Sequence, residues 1–222
     1  MLHKFFYCIV GLLLAVQVYG QTEVVQGLFT TYRKEGKILW SVPKQALGRD
    51  MSLTTTILEA ADCQNKSAED KFGYVGDRFG PAIIRFVMED DWVVVKQVSD
   101  YVGGLDGSPR QAAVAECMEP CVLQRFKVLK HEEQGVVIDV TQWLKSGKIW
   151  SLRPFFFLLG LGNEQSQSIT EIVGLPDGVI VRSERVYDAL GAMPGEPAKE
   201  KTRWKIGCCL NMLPVDLMPV RY

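Results

Sequence analysis

Hydrolytic chemistry at neutral pH needs an activated nucleophile, a general base or a metal, and this chain is poor in bases. Its 222 residues include two histidines, His3 and His131. A catalytic zinc site takes three protein ligands, at least one of them histidine, and leaves a fourth position for water. The pattern His-Glu-x-x-His-x-x-Gly-x-x-His is absent. Lys130-His131-Glu132-Glu133 begins like it, but Gly135 stands where the second histidine belongs. His131 therefore reads as a solvated turn residue. A Ser-His-Asp triad would depend on the same His131, and no Gly-x-Ser-x-Gly elbow accompanies it. Gly103-Gly104-Leu105-Asp106-Gly107 lacks the Gly-Lys-Ser/Thr ending of a phosphate loop. It also lacks the alternating acids of a calcium loop. Glu89-Asp90-Asp91 reads as a soluble acidic turn. No catalytic, cofactor-binding or metal-ligating residue is assigned, and no cofactor is expected.

The elements that would position such groups begin after residue 20. Residues 1–20 read as a secretory signal peptide: Lys4, an apolar run from Phe5 to Val16, and a cleavage site at Val18-Tyr19-Gly20. That run is shorter than the roughly 20 residues of a membrane-spanning helix. The expectation is an exported protein, periplasmic, cell-surface or extracellular, with no stable membrane span after cleavage. Export permits disulfides. Five cysteines remain past residue 20: Cys63, Cys117, Cys121, Cys208 and Cys209. Their odd number leaves at least one outside any intrachain pair, and most read as small buried hydrophobes. The formal net charge of −1, with no basic stripe, gives no basis for nucleic-acid binding.

Residues 21–222 read as mainly β, an α+β chain with few short helices, forming an antiparallel sandwich or a curved sheet. Gly27–Tyr32 and Ile38–Val42 form a hairpin about Lys34-Glu35-Gly36-Lys37. Met51–Leu58 follows as a strand. Ile83–Met88 and Trp92–Val98 make a second hairpin, and the continuously apolar start of its second arm predicts burial on both faces. Gln111–Cys117 reads as a short helix. Val122–Leu129 is a strand, Lys130–Gly135 a turn, Val136–Val140 a strand, and Thr141–Gly147 a short helix capped by Asp139 or Thr141 and stopped by Gly147. Ile149–Leu161 reads as a buried segment. Ser168–Gly174 and Gly178–Tyr187 form a third hairpin. In Arg203–Leu213, Trp204, Ile206, Cys208, Leu210 and Met212 alternate with polar or small residues, the period of a half-buried strand.

Several of these stretches also carry a resemblance. Gly27-Leu28-Phe29, Gly36-Lys37, Trp40 with Pro43, and Leu47-Gly48-Arg49-Asp50 resemble, in order, the opening of a non-catalytic domain. That domain precedes the catalytic domain in a family of secreted bacterial zinc-dependent, metzincin-like metalloproteases. Arg85-Phe86 before an acidic turn, Val137-Ile138-Asp139-Val140-Thr141, Ser168 to Pro176, and Leu213-Pro214 with Met218-Pro219 and Arg221 continue it. In the last run Leu217 stands where the family has Pro, and Val220 separates Pro219 from Arg221.

The resemblance implies a non-catalytic accessory or interaction domain of unknown function, truncated before the zinc motif. Zinc would enter only with a separate metalloprotease catalytic domain, the implied partner. Arg49 and Asp50 are expected to fix the turn as a partly buried ion pair or cap, or else to touch that partner. Trp204, Ile206 and Met212 are expected at a domain interface if the last strand is exposed. The rival class is a free-standing exported binding module for a surface glycan or protein. It would use exposed aromatics among Trp40, Trp92, Trp143 and Trp150.

Overall fold

Alternating apolar positions and tight turns shape most of the chain into strands. The computed structural model describes residues 22–60, 72–98, 121–189 and 201–214. In chain order the strands are β1 (Glu23–Val25), β2 (Thr30–Lys34), β3 (Lys37–Pro43), β4 (Asp50–Glu59), β5 (Arg78–Glu89) and β6 (Trp92–Val98). They continue with β7 (Cys121–Lys127), β8 (Lys130–Glu132), β9 (Gly135–Asp139), β10 (Leu161–Leu175), β11 (Gly178–Ala189) and β12 (Lys201–Met212). Helix α1 (Thr141–Ser146) and the single turn α2 (Phe156–Leu159) follow β9. The protein is mainly β, with two antiparallel sheets. One has five strands in the order β1-β2-β3-β9-β8. The other has seven, β10-β11-β12-β4-β5-β6-β7, and curls.

The turn chemistry accounts for the first hairpin. Glu35 and Gly36 both take positive φ, 52° and 76°, the left-handed pair that a two-residue hairpin turn requires. Some elements differ from expectation. The first arm of the hairpin, β2, starts at Thr30 rather than Gly27: Gly27-Leu28-Phe29 is bent, with the Leu28 N–H on the Leu175 carbonyl of β10, and β1 precedes it. Residues 130–135 are not all turn: Lys130–Glu132 pairs with β9 as an edge strand. Residues 149–161 are not one buried segment. They form 3-10 turns and α2, and Leu158 is exposed. The helix expected at 111–117 and the cysteines Cys63 and Cys117 lie outside the described residues.

The core fills the space between the sheets. Phe29 stacks on Trp40 with ring centroids 4.9 Å apart and also meets Phe86 of β5 at 5.5 Å. Trp143, on α1, is the hub. Its ring lies 6.1 Å from Trp40 in the five-stranded sheet, 6.1 Å from Phe86 and 5.4 Å from Phe126 in the seven-stranded sheet, and 5.0 Å from Trp150. Edge-to-face geometry of this kind adds to the large apolar area each ring buries. The helix is held by its start, where Asp139 Oδ1 accepts the Thr141 N–H at 2.9 Å, and by its end, where the Gly147 N–H reaches the Trp143 carbonyl at 2.7 Å. Val93, Val94 and Val95 are all fully buried, as a strand covered on both faces requires.

Candidate functional site

Leu47-Gly48-Arg49-Asp50 ties three strands together. The Gly48 N–H donates to the Phe86 carbonyl at 2.8 Å. Asp50 Oδ1 accepts from Arg85 Nε at 2.7 Å, and this aspartate hydrogen bond raises the Arg85 pKa above its ordinary value. Arg49 Nη2 donates to the Leu213 carbonyl at 2.7 Å, and the Leu213 N–H returns to the Asp50 carbonyl at 2.8 Å. Arg49 and Asp50 therefore fix the turn by reaching separate partners rather than by pairing with each other. Together they clamp the end of β12 against the start of β4.

The interface expected on the last strand takes a different form. Trp204 is 2% exposed and Ile206 is fully buried, both inside the chain's own core, and Met212 is half-buried against it. β12 is an inner strand between β11 and β4, and Trp204, Ile206, Cys208 and Leu210 on its apolar face join the core cluster rather than a free surface. Of the four tryptophans considered for ligand contact, Trp40, Trp143 and Trp150 are core residues and Trp92 is 43% exposed. They do not form a surface platform.

Two clefts open along the seam between the sheets. At the first, Gly27 passes Gly174 so closely that a Cβ on Gly27 would come within 2.7 Å of the Gly174 Cα, and the Leu28 N–H donates to the Leu175 carbonyl at 2.7 Å. This contact borders a cleft of about 630 Å³ lined by the amides of Gln26, Gln45 and Gln134 and the hydroxyls of Thr30 and Ser41. It carries no charged side chain. The second cleft, about 440 Å³, lies where Gly36-Lys37 faces Gln167-Ser168-Ile169 of β10.

One buried polar cluster has no counterpart in the expectations. Arg185, 1% exposed, donates through Nη1 to Glu164 Oε1 at 2.9 Å and to the Lys145 carbonyl at 3.1 Å. Its Nη2 reaches the Leu144 carbonyl at 3.0 Å and its Nε the Ser183 hydroxyl at 3.1 Å. The guanidinium thus caps the open carbonyls at the end of α1. Beside it the Tyr187 hydroxyl accepts the Leu152 N–H at 3.1 Å. Burial first, and then the Glu164 charge, push the pKa of the Tyr187 hydroxyl well up. Nothing in the spacing of β11 distinguishes Arg185 from its outward neighbours Arg182 and Glu184. Only its position on the buried parity of the strand, shared with Ser183 and Tyr187, hinted at it.

His131 is exposed and lies 3.7 Å from Asp91. Cys121 is exposed, Cys209 half-buried and Cys208 buried, and all three are free thiols. Burial pushes the Cys208 thiol up to about 11. Among the described residues no three His, Cys, Asp or Glu side chains gather to hold a metal ion, and no helix is long and apolar enough to cross a membrane.

Residues 76–222 match the family described as "Domain of unknown function (DUF5117)", and residues 18–60 match "Domain of unknown function (DUF5118)". The first match covers more than half of the chain, which therefore belongs to the DUF5117 family. No curated protein and no solved structure matches it.

Proposed function

We propose that residues 21–222 form a non-catalytic accessory domain of an exported zinc-dependent metalloprotease-like protein, following a signal peptide at residues 1–20. The domain packs against a separate catalytic domain that holds the zinc. The observation that carries this reading is where the resembling segments fall. Gly27-Leu28 meets Gly174-Leu175-Pro176 at the seam, and Gly36-Lys37 faces Ser168-Ile169. Leu47-Gly48-Arg49-Asp50 clamps Arg85-Phe86 and Leu213. Segments far apart in sequence, which resemble one family in one order, thus serve as contacts between elements rather than as a cleft of reactive groups. The clamp on Leu213 also holds the chain in a fixed direction at Pro214, where the resembled family runs on toward its catalytic domain.

The test uses the purified chain in a casein and fluorogenic-peptide assay with added zinc. No hydrolysis is expected. Mixed with a catalytic domain of the resembled family carrying His-Glu-x-x-His-x-x-Gly-x-x-His, it is expected to co-elute on size exclusion. Chelator-sensitive cleavage by the chain alone, or failure to associate with any such domain, overturns the proposal.

A further inference from the structure

Where β4 ends and β5 begins, a tightly hydrogen-bonded loop keeps apolar side chains in water. Residues 72–77 lead into β5. Asp77 Oδ2 accepts the Gly73 N–H at 2.7 Å and the Tyr74 N–H at 2.9 Å. The Gly76 N–H donates to the Ile57 carbonyl and the Ile57 N–H to the Asp77 carbonyl, both at 2.9 Å, so the loop is pinned to β4. Gly73 and Gly76 take positive φ, 96° and 94°, which lets the chain turn back so closely. Phe72, Tyr74 and Val75 are nevertheless 44%, 43% and 67% exposed, and Leu58, next to Ile57, is 42% exposed.

A second element meets this end of the sheet. Phe155 stacks on Phe79 of β5 with ring centroids 4.6 Å apart, and it leads into α2, where Leu158 is 55% exposed. Two exposed cations flank the apolar groups: Arg78 directly follows the loop, and Arg153 lies two residues before Phe155. Neither has an acidic partner among the described residues. The neighbouring carboxylates are engaged elsewhere, Asp77 within the loop and Glu59 on Lys205. Exposed apolar residues gathered inside a polar rim mark a contact with a protein or a membrane. A stable protein interface buries about 800 Å² per partner with matching shape. One loop and one turn are too small for that, and the alternate positions of β4 beside them are the polar Thr54 and Thr56. A lipid surface needs no matching shape, and anionic headgroups complement the unpaired arginines.

We propose that this end of the seven-stranded sheet docks on the surface of an anionic lipid bilayer. Leu58, Phe72, Tyr74, Val75 and Leu158 enter the boundary between headgroups and acyl chains, and Arg78 and Arg153 stay among the headgroups. The amphipathic ring of Tyr74 suits that depth. The loop is already held in shape by its hydrogen bonds, so docking orders little of it. The contact is peripheral, since no helix among the described residues is long and apolar enough to cross a membrane. The inference rests on these side chains and is independent of the metalloprotease reading.

The test uses residues 21–222, which contain every described element, because the apolar run from Phe5 to Val16 would itself enter lipid. At low ionic strength this chain is expected to co-sediment with vesicles of phosphatidylglycerol and phosphatidylethanolamine, and about tenfold less with phosphatidylcholine alone. Val75→Asp/Leu158→Asp should weaken sedimentation about tenfold or more. Arg78→Gln/Arg153→Gln should bring binding to the anionic vesicles down to the phosphatidylcholine level. Leu129→Asp, an exposed apolar position between β7 and β8, should change nothing. Should the aspartate variant misfold, the unaltered chain in anionic bicelles doped with a spin-labelled lipid supplies a second readout. The amide resonances of Gly73 and Gly76 should broaden, and that of Gly48, at the other end of β4, should not. No sedimentation with anionic vesicles, equal binding to phosphatidylcholine, undiminished binding by a folded aspartate variant, or equal broadening at Gly48 overturns the proposal. So does a dimer of the chain, abolished by the aspartate variant, in place of vesicle binding.

Discussion

At the scale of single residues, Arg185 is the side chain on which most of the buried polar structure depends. It is one of few charged groups in the core, and each of its three nitrogens finds an acceptor. Removing one partner of a buried ion pair leaves the other charge uncompensated, a loss of about 3–5 kcal/mol. Arg185→Met keeps the length of the stem and removes the charge. It strands Glu164 and uncaps the carbonyls of Leu144 and Lys145. The variant is expected to lose about 3–5 kcal/mol in urea unfolding, with the tryptophan emission of the Trp143 cluster shifting to the red as α1 loosens. Glu164→Gln, which keeps an acceptor for the guanidinium, should cost less. A loss below about 1 kcal/mol for Arg185→Met would mean that water replaces the guanidinium and that α1 is held by its aromatic contacts alone. Cys208 makes a contrasting case. Its thiol, pushed up to about 11 by burial and 3.5 Å from the Thr55 hydroxyl, behaves as a small core residue rather than as a nucleophile.

At the scale of elements, the seam between the sheets is set by two glycines. A Cβ on Gly174 would overlap the Gln26 carbonyl oxygen, and one on Gly27 would press on the Gly174 backbone. No side-chain rotamer relieves a clash between backbones, so the sheets must part. Gly174→Ala is expected to destabilise by about 1–3 kcal/mol, the range for overpacking, read as a lower denaturation midpoint. Gly36→Ala is a control for glycine loss as such. Nothing lies within 4 Å of its Cβ, and only the left-handed φ of 76° is strained. If Gly36→Ala proved the worse of the two, turn strain rather than sheet contact would dominate.

The same seam shows what could be read in the sequence. Trp92–Val98 and Gly178 onward were legible because a period of two and a turn signal act over a few residues. So was the inward parity of Trp204, Ile206, Cys208 and Leu210 on β12. The contact between Gly27 and Gly174 was not, since it joins segments almost 150 residues apart and leaves no periodic mark. The short edge strand Lys130–Glu132 was hidden for another reason. It is polar and exposed, and it is a strand because β9 offers it hydrogen bonds, not because its residues favour extension. The clamp at Arg49 and Asp50 was legible as important but not in its partners, which sit on β5 and at the end of β12.

At the scale of the whole molecule, the two family matches do not correspond to two folding units. The match over residues 18–60 supplies β4, and β4 lies in the middle of the seven-stranded sheet, hydrogen-bonded to β12 on one side and β5 on the other. Every other strand of that sheet comes from residues 76–222. The first segment also supplies β3, which pairs with β9, and it contributes Phe29 and Trp40 to the cluster around Trp143. Without residues 22–60 the sheet would have a gap between β5 and β12, with two strand edges of unpaired backbone N–H and C=O groups. The central aromatic cluster would lose one wall, and Arg85 its carboxylate. Strand edges and apolar faces left open in this way drive aggregation or collapse rather than folding. Residues 76–222 expressed alone are therefore expected to show no cooperative thermal transition and to bind a hydrophobic dye. Adding residues 22–60 as a separate chain should restore a sigmoidal transition. Cooperative unfolding of the shorter piece by itself would show that β5 and β12 close on each other directly. In that case the segment matched at residues 18–60 would be an addition to the domain rather than part of its core.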